Sequence, residues 1–260
     1  MWPFKKKTSV VNSPAKFDSI LCIPGHWKDD QEIKLALIEA TNGEYMAAGG
    51  VMMNAKNKRH FTFEVCEQDE RMKDSFAVAG MVTGVTEGFL EEIGKHHSVV
   101  YITAPTGSLQ EAGHIAFAAE ALLKAGGIGV KVETAGKAFE KEAWFSLTTN
   151  FQEHYTYEMF VIDSLVKEDG TIFSCGMQNL GLKDTIVSNL PFQEAVELIR
   201  TFGYYQVVDK PVILPNQTFT PTPGSPIYRI TKEDNPPYES EALLGNPFGV
   251  WRLTSEQYVS

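Results

Sequence analysis

Cysteine is scarce in this 260-residue chain, basic charge is outnumbered, and long apolar runs are missing. The three cysteines, Cys22, Cys66 and Cys175, are odd in number and far apart, and two of them lie inside apolar strand patterns. That argues against a disulfide scaffold and for a reducing, cytoplasmic setting. Lys and Arg number 23 against 33 Asp and Glu, a formal charge of −10, with a pI near 5.1. Nucleic acids and anionic membranes both reward positive charge, so neither is expected as a partner, whereas solubility or a basic protein partner suits the balance. No window reaches the roughly 18 consecutive apolar residues of a membrane-spanning helix. The start places Lys5, Lys6 and Lys7 behind Trp2 and Phe4 but lacks the long apolar stretch of a signal peptide, so residues 1–17 read as an N-terminal arm.

Compact catalytic signatures are missing too. The turn at 106–113, ThrGlySerLeuGlnGluAlaGly, follows a strand and opens a helix. It has neither the GxGxxG of a dinucleotide fold nor the GxxxxGK of a phosphate loop. Ser108 followed by Glu111 is instead a capping box that starts a helix. The six histidines, His26, His60, His96, His97, His114 and His154, show no helical i, i+4 pair and no cysteine neighbour. Neither a metal centre nor a cofactor is therefore expected. His96 and His97 read as complements to the carbonyl end of a helix, and His114 as a half-buried, hydrogen-bonded side chain. Ser108, Ser146, Ser174 and Cys175 lack the strained GxSxG setting of a nucleophile. Glu64, Glu120, Glu133 and Glu158 are the carboxylates set among apolar residues, where burial shifts a pKa. Strand alternation points Glu64 and Glu133 outward, and Glu120 faces Lys124 one helical turn on.

What is present is a core-forming pattern: 43% hydrophobic and 22% charged residues, ordinary for a globular chain. The clearest unit runs from 97 to 133. A β-branched run at 98–103 is a strand, 109–125 is a helix, and 128–133 alternates as a second strand. Before it come a strand at 19–23, a helix capped by Asp29 or Asp30, a strand pair at 45–53 and 60–66, and a long helical stretch from Asp69. In that stretch Gly80, Gly84 and Gly88 offer a smooth face for packing on a sheet. After it come a short helix at 137–145, a hairpin of 157–166 and 171–175 turned by Asp169 and Gly170, a helix opened by Pro191, and a strand at 207–214. The fold class is α+β, with mixed sheets and helices packed on one face. The order also admits two ferredoxin-like (split βαβ) halves, 18–103 and 104–214, within an α+β domain at 18–214. Residues 215–260, rich in proline, read as a C-terminal arm with an edge strand, because Phe248, Val250, Trp251 and Leu253 need cover.

The run from 112 to 139, AlaGlyHisIleAlaPheAlaAlaGluAlaLeuLeuLysAlaGlyGlyIleGlyValLysValGluThrAlaGlyLysAlaPhe, is followed by Trp144 and, near the end, by AsnProPheGlyValTrpArgLeu at 246–253. In these segments the chain resembles a bacterial domain-of-unknown-function family found near polymorphic toxin and secretion-system genes. The resemblance covers about half of the chain and rests on packing motifs, so it carries over no catalytic residue. It implies an immunity protein whose partner is a cognate toxin, secreted by a type VI or contact-dependent system.

Two readings follow. In the first, the chain is a non-enzymatic cytoplasmic binder that occludes a toxin's active site through an acidic surface. In the second, it is a small-molecule enzyme with a pocket at the carboxyl ends of the strands near Pro105 to Ser108, formed by Thr106, Ser108, His114 and Glu133.

Overall fold

A computed structural model describes residues 17–239 and 242–256. The first sheet is antiparallel throughout and has seven strands: β1 (Phe17–Gly25), β2 (Tyr45–Ala48), β3 (Val51–Asn54), β4 (His60–Glu67), β5 (Ser98–Thr106), β6 (Gly129–Val132) and β7 (Lys137–Glu140). Their order is β2-β3-β4-β5-β1-β6-β7. Alternation along β1 sends Leu21 and Ile23 to one core, shared with Ile33 and Leu37 of α1 (Asp30–Ala40) and with the long helix α4 (Leu109–Lys124). Cys22 faces the opposite side and meets Met72 and Phe76 of α2 (Met72–Ala79) and Ile93 of α3 (Glu87–Ile93). Alanines at 112, 116 and 119 let α4 lie close to the sheet, and its ends are fixed locally. Ser108 accepts the Glu111 amide, while the Trp27 indole donates to the Ala125 carbonyl at 2.7 Å.

Two short helices, α5 (Lys141–Thr148) and α6 (Tyr155–Phe160), lead into a mixed second sheet. It contains β8 (Ile162–Val166), β9 (Ile172–Cys175), β10 (Asp184–Val187), β11 (Thr218–Phe219), β12 (Tyr228–Lys232) and β13 (Val250–Ser255). The order is β11-β12-β13-β10-β9-β8, with β10 and β13 parallel and the other pairs antiparallel. Helix α7 (Phe192–Tyr204) covers it with Ala195, Leu198, Ile199 and Phe202.

The α+β class holds, and several finer expectations give way. Helices flank both faces of the first sheet, not one, because β1 and β5 bury apolar side chains on both sides. The expected division at 103/104 is not where the sheets divide. Strands β6 and β7 return to the first sheet, and neither strand order is that of a ferredoxin-like half. The expected N-terminal arm lies outside the described residues except Phe17, which opens β1. Residues after 215 supply β11, β12 and β13, and β13 is an interior strand between β12 and β10. Its Trp251 and Leu253 are buried in the sheet's core.

Local readings fail where periodicity was weakest. The stretch from Asp69 is two helices, since a Cβ on Gly80 would lie 2.3 Å from the Val85 side chain and Gly84 turns at φ +73°. Segment 137–145 is strand β7 followed by α5, and segment 157–166 is α6 followed by β8. Segment 207–214 leaves α7 through a π-helical turn, Tyr205–Asp209, instead of forming a strand.

The two sheets meet at a 3₁₀ turn, Met177–Leu180, within a run buried without a break from Thr171 to Leu180. Ser19 of β1 donates to Asn179 Oδ1 at 2.6 Å, which leaves its oxygen to accept from Thr106 of β5 at 2.7 Å. Thr134 donates to the same Asn179 oxygen at 2.7 Å, and Gln178 donates to the Thr134 carbonyl at 2.8 Å. Glycines bracket the turn because backbone presses on both. A Cβ on Gly176 would lie 1.9 Å from the Phe160 carbonyl oxygen, and one on Gly181 would lie 2.0 Å from that of Gly107. We expect Gly181→Ala to cost at least about 3 kcal/mol by urea denaturation, since close approach adds to left-handed strain. Gly43→Ala, also at positive φ but with nothing within 4 Å, should cost only about 1 kcal/mol. Equal costs at the two positions would show that the sheet junction is not tightly fitted.

Candidate functional site

The four side chains expected to form one pocket are dispersed. Thr106 is buried in the Ser19 and Asn179 network, and Ser108 caps α4. His114 projects from α4 toward Arg59 and Glu111, while Glu133 lies on the α2 side of the first sheet beside Lys131. The physical reason is that an antiparallel sheet has no common carboxyl edge, so the rule that gathers loops there has no purchase.

Two hollows open to solvent stand out instead. The first, about 610 Å³, is a groove over the part of the first sheet that α2 leaves uncovered. Register puts Glu64, Tyr101, Cys22 and Lys131 side by side across β4, β5, β1 and β6. Lys131 binds Glu133 at 2.9 Å and also donates to Ser75 of α2. Asp69 and Arg71 on the rim are joined at 2.9 Å, and that pairing holds the Asp69 carboxyl down at about 2. Glu64 is exposed, in keeping with strand alternation, whereas Glu133 is half-buried and paired. Cys66 borders the groove, and burial followed by the Glu64 charge raises its thiol above the usual range, opposite to a reactive thiolate.

The second hollow, about 620 Å³, is a cleft where the two sheets meet. Gly107, Ser108 and Leu109 at the start of α4 form one wall, and Leu182, Lys183, Phe248 and Trp251 form the other. Gln206 from the π-helical turn and Ile213 beyond it close the end. The Lys183 ammonium lies 4.0 Å from the centre of the Trp251 ring. Sequence reading placed a pocket near 105–108 but missed these partners, which come from segments more than seventy positions away.

In the first groove burial, and then the Cys22 charge, raise the Tyr101 phenol, and further strongly displaced protonation equilibria lie in the interior. Burial pushes the Asp184 carboxyl up to about 7, against hydrogen bonds from Asn246, the Met177 amide and Ser174 that draw it down. Lys137, expected on a helix, points from β7 into the core and donates to the carbonyls of Glu158 and Val161 at the end of α6. Burial draws its amine down to about 8. Burial raises the thiols of Cys22 and Cys175 and the phenol of Tyr157, whose hydroxyl has no partner.

The remaining candidates have local roles. Glu120 pairs with Lys124 at 2.9 Å, and Glu158 accepts from Tyr204. Ser146 donates to Ala143, and Ser174 bridges Asp184 and the Thr185 amide. His96 accepts the Asp69 amide at Nε2 and donates from Nδ1 to the carbonyl of Ile93, the last residue of α3. His26 contacts Glu92. Nδ1 of His114 is buried without a partner, where a hydrogen-bonded ring was expected; burial and then the Arg59 charge lower its pKa.

Among the described residues, no group of three or more His, Cys, Asp or Glu side chains could hold a metal ion, and no helix is long and apolar enough to cross a membrane. Comparison of the chain with family models, with curated proteins and with solved structures finds no match.

Asp184 generates a pH test. Its folded pKa is raised, so its contribution to stability is complete below about pH 4 and is lost as pH rises through about 7. Asp184→Asn removes that titration. Urea denaturation from about pH 4 to about pH 8 should therefore show wild-type stability falling relative to the variant across this window. Parallel curves would mean that Asp184 titrates as an ordinary carboxylate.

Proposed function

We propose that this chain is a non-enzymatic binding protein, in its most specific form a cytoplasmic immunity protein that holds a cognate toxin and occludes its active site. One observation carries the reading: reactivity and access do not coincide. Asp184, Lys137, Cys22 and Cys175 are buried, whereas the groove open to solvent pairs Lys131 with Glu133 and Arg71 with Asp69. A stoichiometric inhibitor needs a complementary surface, not a group poised to exchange protons. The net charge of −10 favours a basic partner. Large apolar side chains stand exposed in two short segments, Val78 at the end of α2 with Met81 and Val82 just after it, and Val208, Val212 and Leu214 beyond α7. Such residues suit the centre of a contact surface whose polar rim sets specificity.

The alternative, a small-molecule enzyme, draws support from the cleft beside Gly107 and Ser108. Its polar lining is Ser108, Gln110, Glu153, Lys183, Gln206 and Lys210, without His114 or Glu133. On that reading Glu133→Gln should leave turnover intact.

Co-expression with the product of the adjacent gene tests the binding role: a stable one-to-one complex on gel filtration is the expected result. Replacing the exposed Glu168, Glu194 and Glu197 by lysine should then chiefly slow association and flatten its dependence on salt. Separate elution of the two proteins, or association rates indifferent to salt, would remove the toxin-partner reading or its electrostatic steering respectively.

A further inference from the structure

The cleft between the sheets carries a charge arrangement that the protein-binding role does not use. The chain is strongly acidic overall, yet Lys183 lines this cleft with no carboxylate paired to it among the described residues. Its ammonium is held by the face of Trp251, a contact that fixes its position without neutralising it and leaves N–H directions free. Burial, and secondarily the positive charge of Lys232, disfavour the protonated form of Lys183, the situation an added anion relieves. The other cation at the cleft, Lys210, is already matched by Glu153 at 2.7 Å. The Ser108 hydroxyl is likewise engaged, by Glu111. Lys183 is therefore the one cation lining this cleft that has no counter-charge among the described residues.

Gln110 and Gln206 complete the polar lining, and an apolar wall is built by Leu109, Leu182, Ile213 and the ring of Phe248. A volume of about 620 Å³ lies within the range that small organic ligands occupy, roughly 300 to 1,000 Å³. Inorganic anions would leave most of that apolar wall wet. A purely apolar molecule would leave Lys183 desolvated without compensation. One wall follows β5 of the first sheet and the other includes Trp251 of the second, so the site depends on the junction at which the backbones of Gly107 and Gly181 touch.

We propose that this cleft binds a small organic anion with a flat apolar body, its carboxylate or other anionic group on Lys183 and its body against Phe248 and Ile213. Binding there requires neither turnover nor a protein partner. The test uses 1-naphthoate and its neutral isostere 1-naphthamide, titrated into the ¹⁵N-labelled protein. The Trp251 indole resonance is the readout, assigned by its loss in Trp251→Phe.

For a probe of this size, naphthoate should shift that resonance saturably with Kd of about 1 mM or tighter. Naphthamide should bind at least about tenfold more weakly, and added salt should weaken naphthoate alone. Lys183→Met should raise the naphthoate Kd by about tenfold, and Lys183→Arg should largely restore it, with thermal melting confirming that both variants fold. If Lys183→Met unfolds, Lys183→Gln takes its place with the same expectation. Absence of a saturable Trp251 shift overturns the proposal. So does equal binding of the two probes, or naphthoate affinity unchanged in the folded Lys183→Met or Lys183→Gln protein.

Discussion

The side chain of Asn179 sits where the two sheets meet, and its oxygen accepts hydrogen bonds from Ser19 and Thr134 while its amide donates to the Gly176 carbonyl. Every polar group in this dry region has to find a partner inside the protein, because an unmet one costs roughly 1 to 3 kcal/mol. The turn that carries Asn179 therefore has little freedom. Gly176 and Gly181 fix how closely it approaches Phe160 on one side and Gly107 on the other. Asp184 and Asn246 extend the network into β10 and the segment that leads to β13. The meeting of the two sheets and the walls of the inter-sheet cleft are held by this one junction.

The junction also explains where charge is expensive and where it is cheap. Asp184 and Lys137 are ionisable groups that serve architecture: each meets backbone or amide partners, and burial moves each toward its neutral form. The acidic excess is carried at the surface, where solvent screens it and where it can steer a basic partner. Lys183 belongs to neither class. It stands at the edge of the buried region, positioned by Trp251, in a cleft whose other cation is matched. On the proposed binding role, a ligand held in this cleft would stabilise the shape presented to a partner, since anything that binds only the joined state favours it.

Much of the backbone was legible in the residues. Asp29 caps α1, Ser108 caps α4, the β-branched run at 98–103 gives β5, and Asp169 with Gly170 turns the β8 to β9 hairpin. These are decided by local chemistry: a side-chain oxygen within reach of an orphan amide, or a period that only one backbone geometry satisfies. Segments 137–145 and 157–166 were misread because each holds a helix and a strand of only four to eight residues. A window that short cannot separate the two periods. The glycines at 80, 84 and 88 were read as one smooth helical face, but Gly80 ends a helix and Gly84 turns the chain.

Composition and local pattern by themselves determined the α+β class, the main helix starts, the acidic surface and the burial of Cys22 and Cys175. Tertiary structure decided which strands share a sheet, that β13 is interior, and that the turn after β5 is lined by Lys183, Phe248 and Trp251 instead of His114 and Glu133. The reason is range. Capping and periodicity act over three or four residues, whereas a cleft wall depends on which distant segments a buried hydrogen-bond network holds together, and that energy is not written in any one of them.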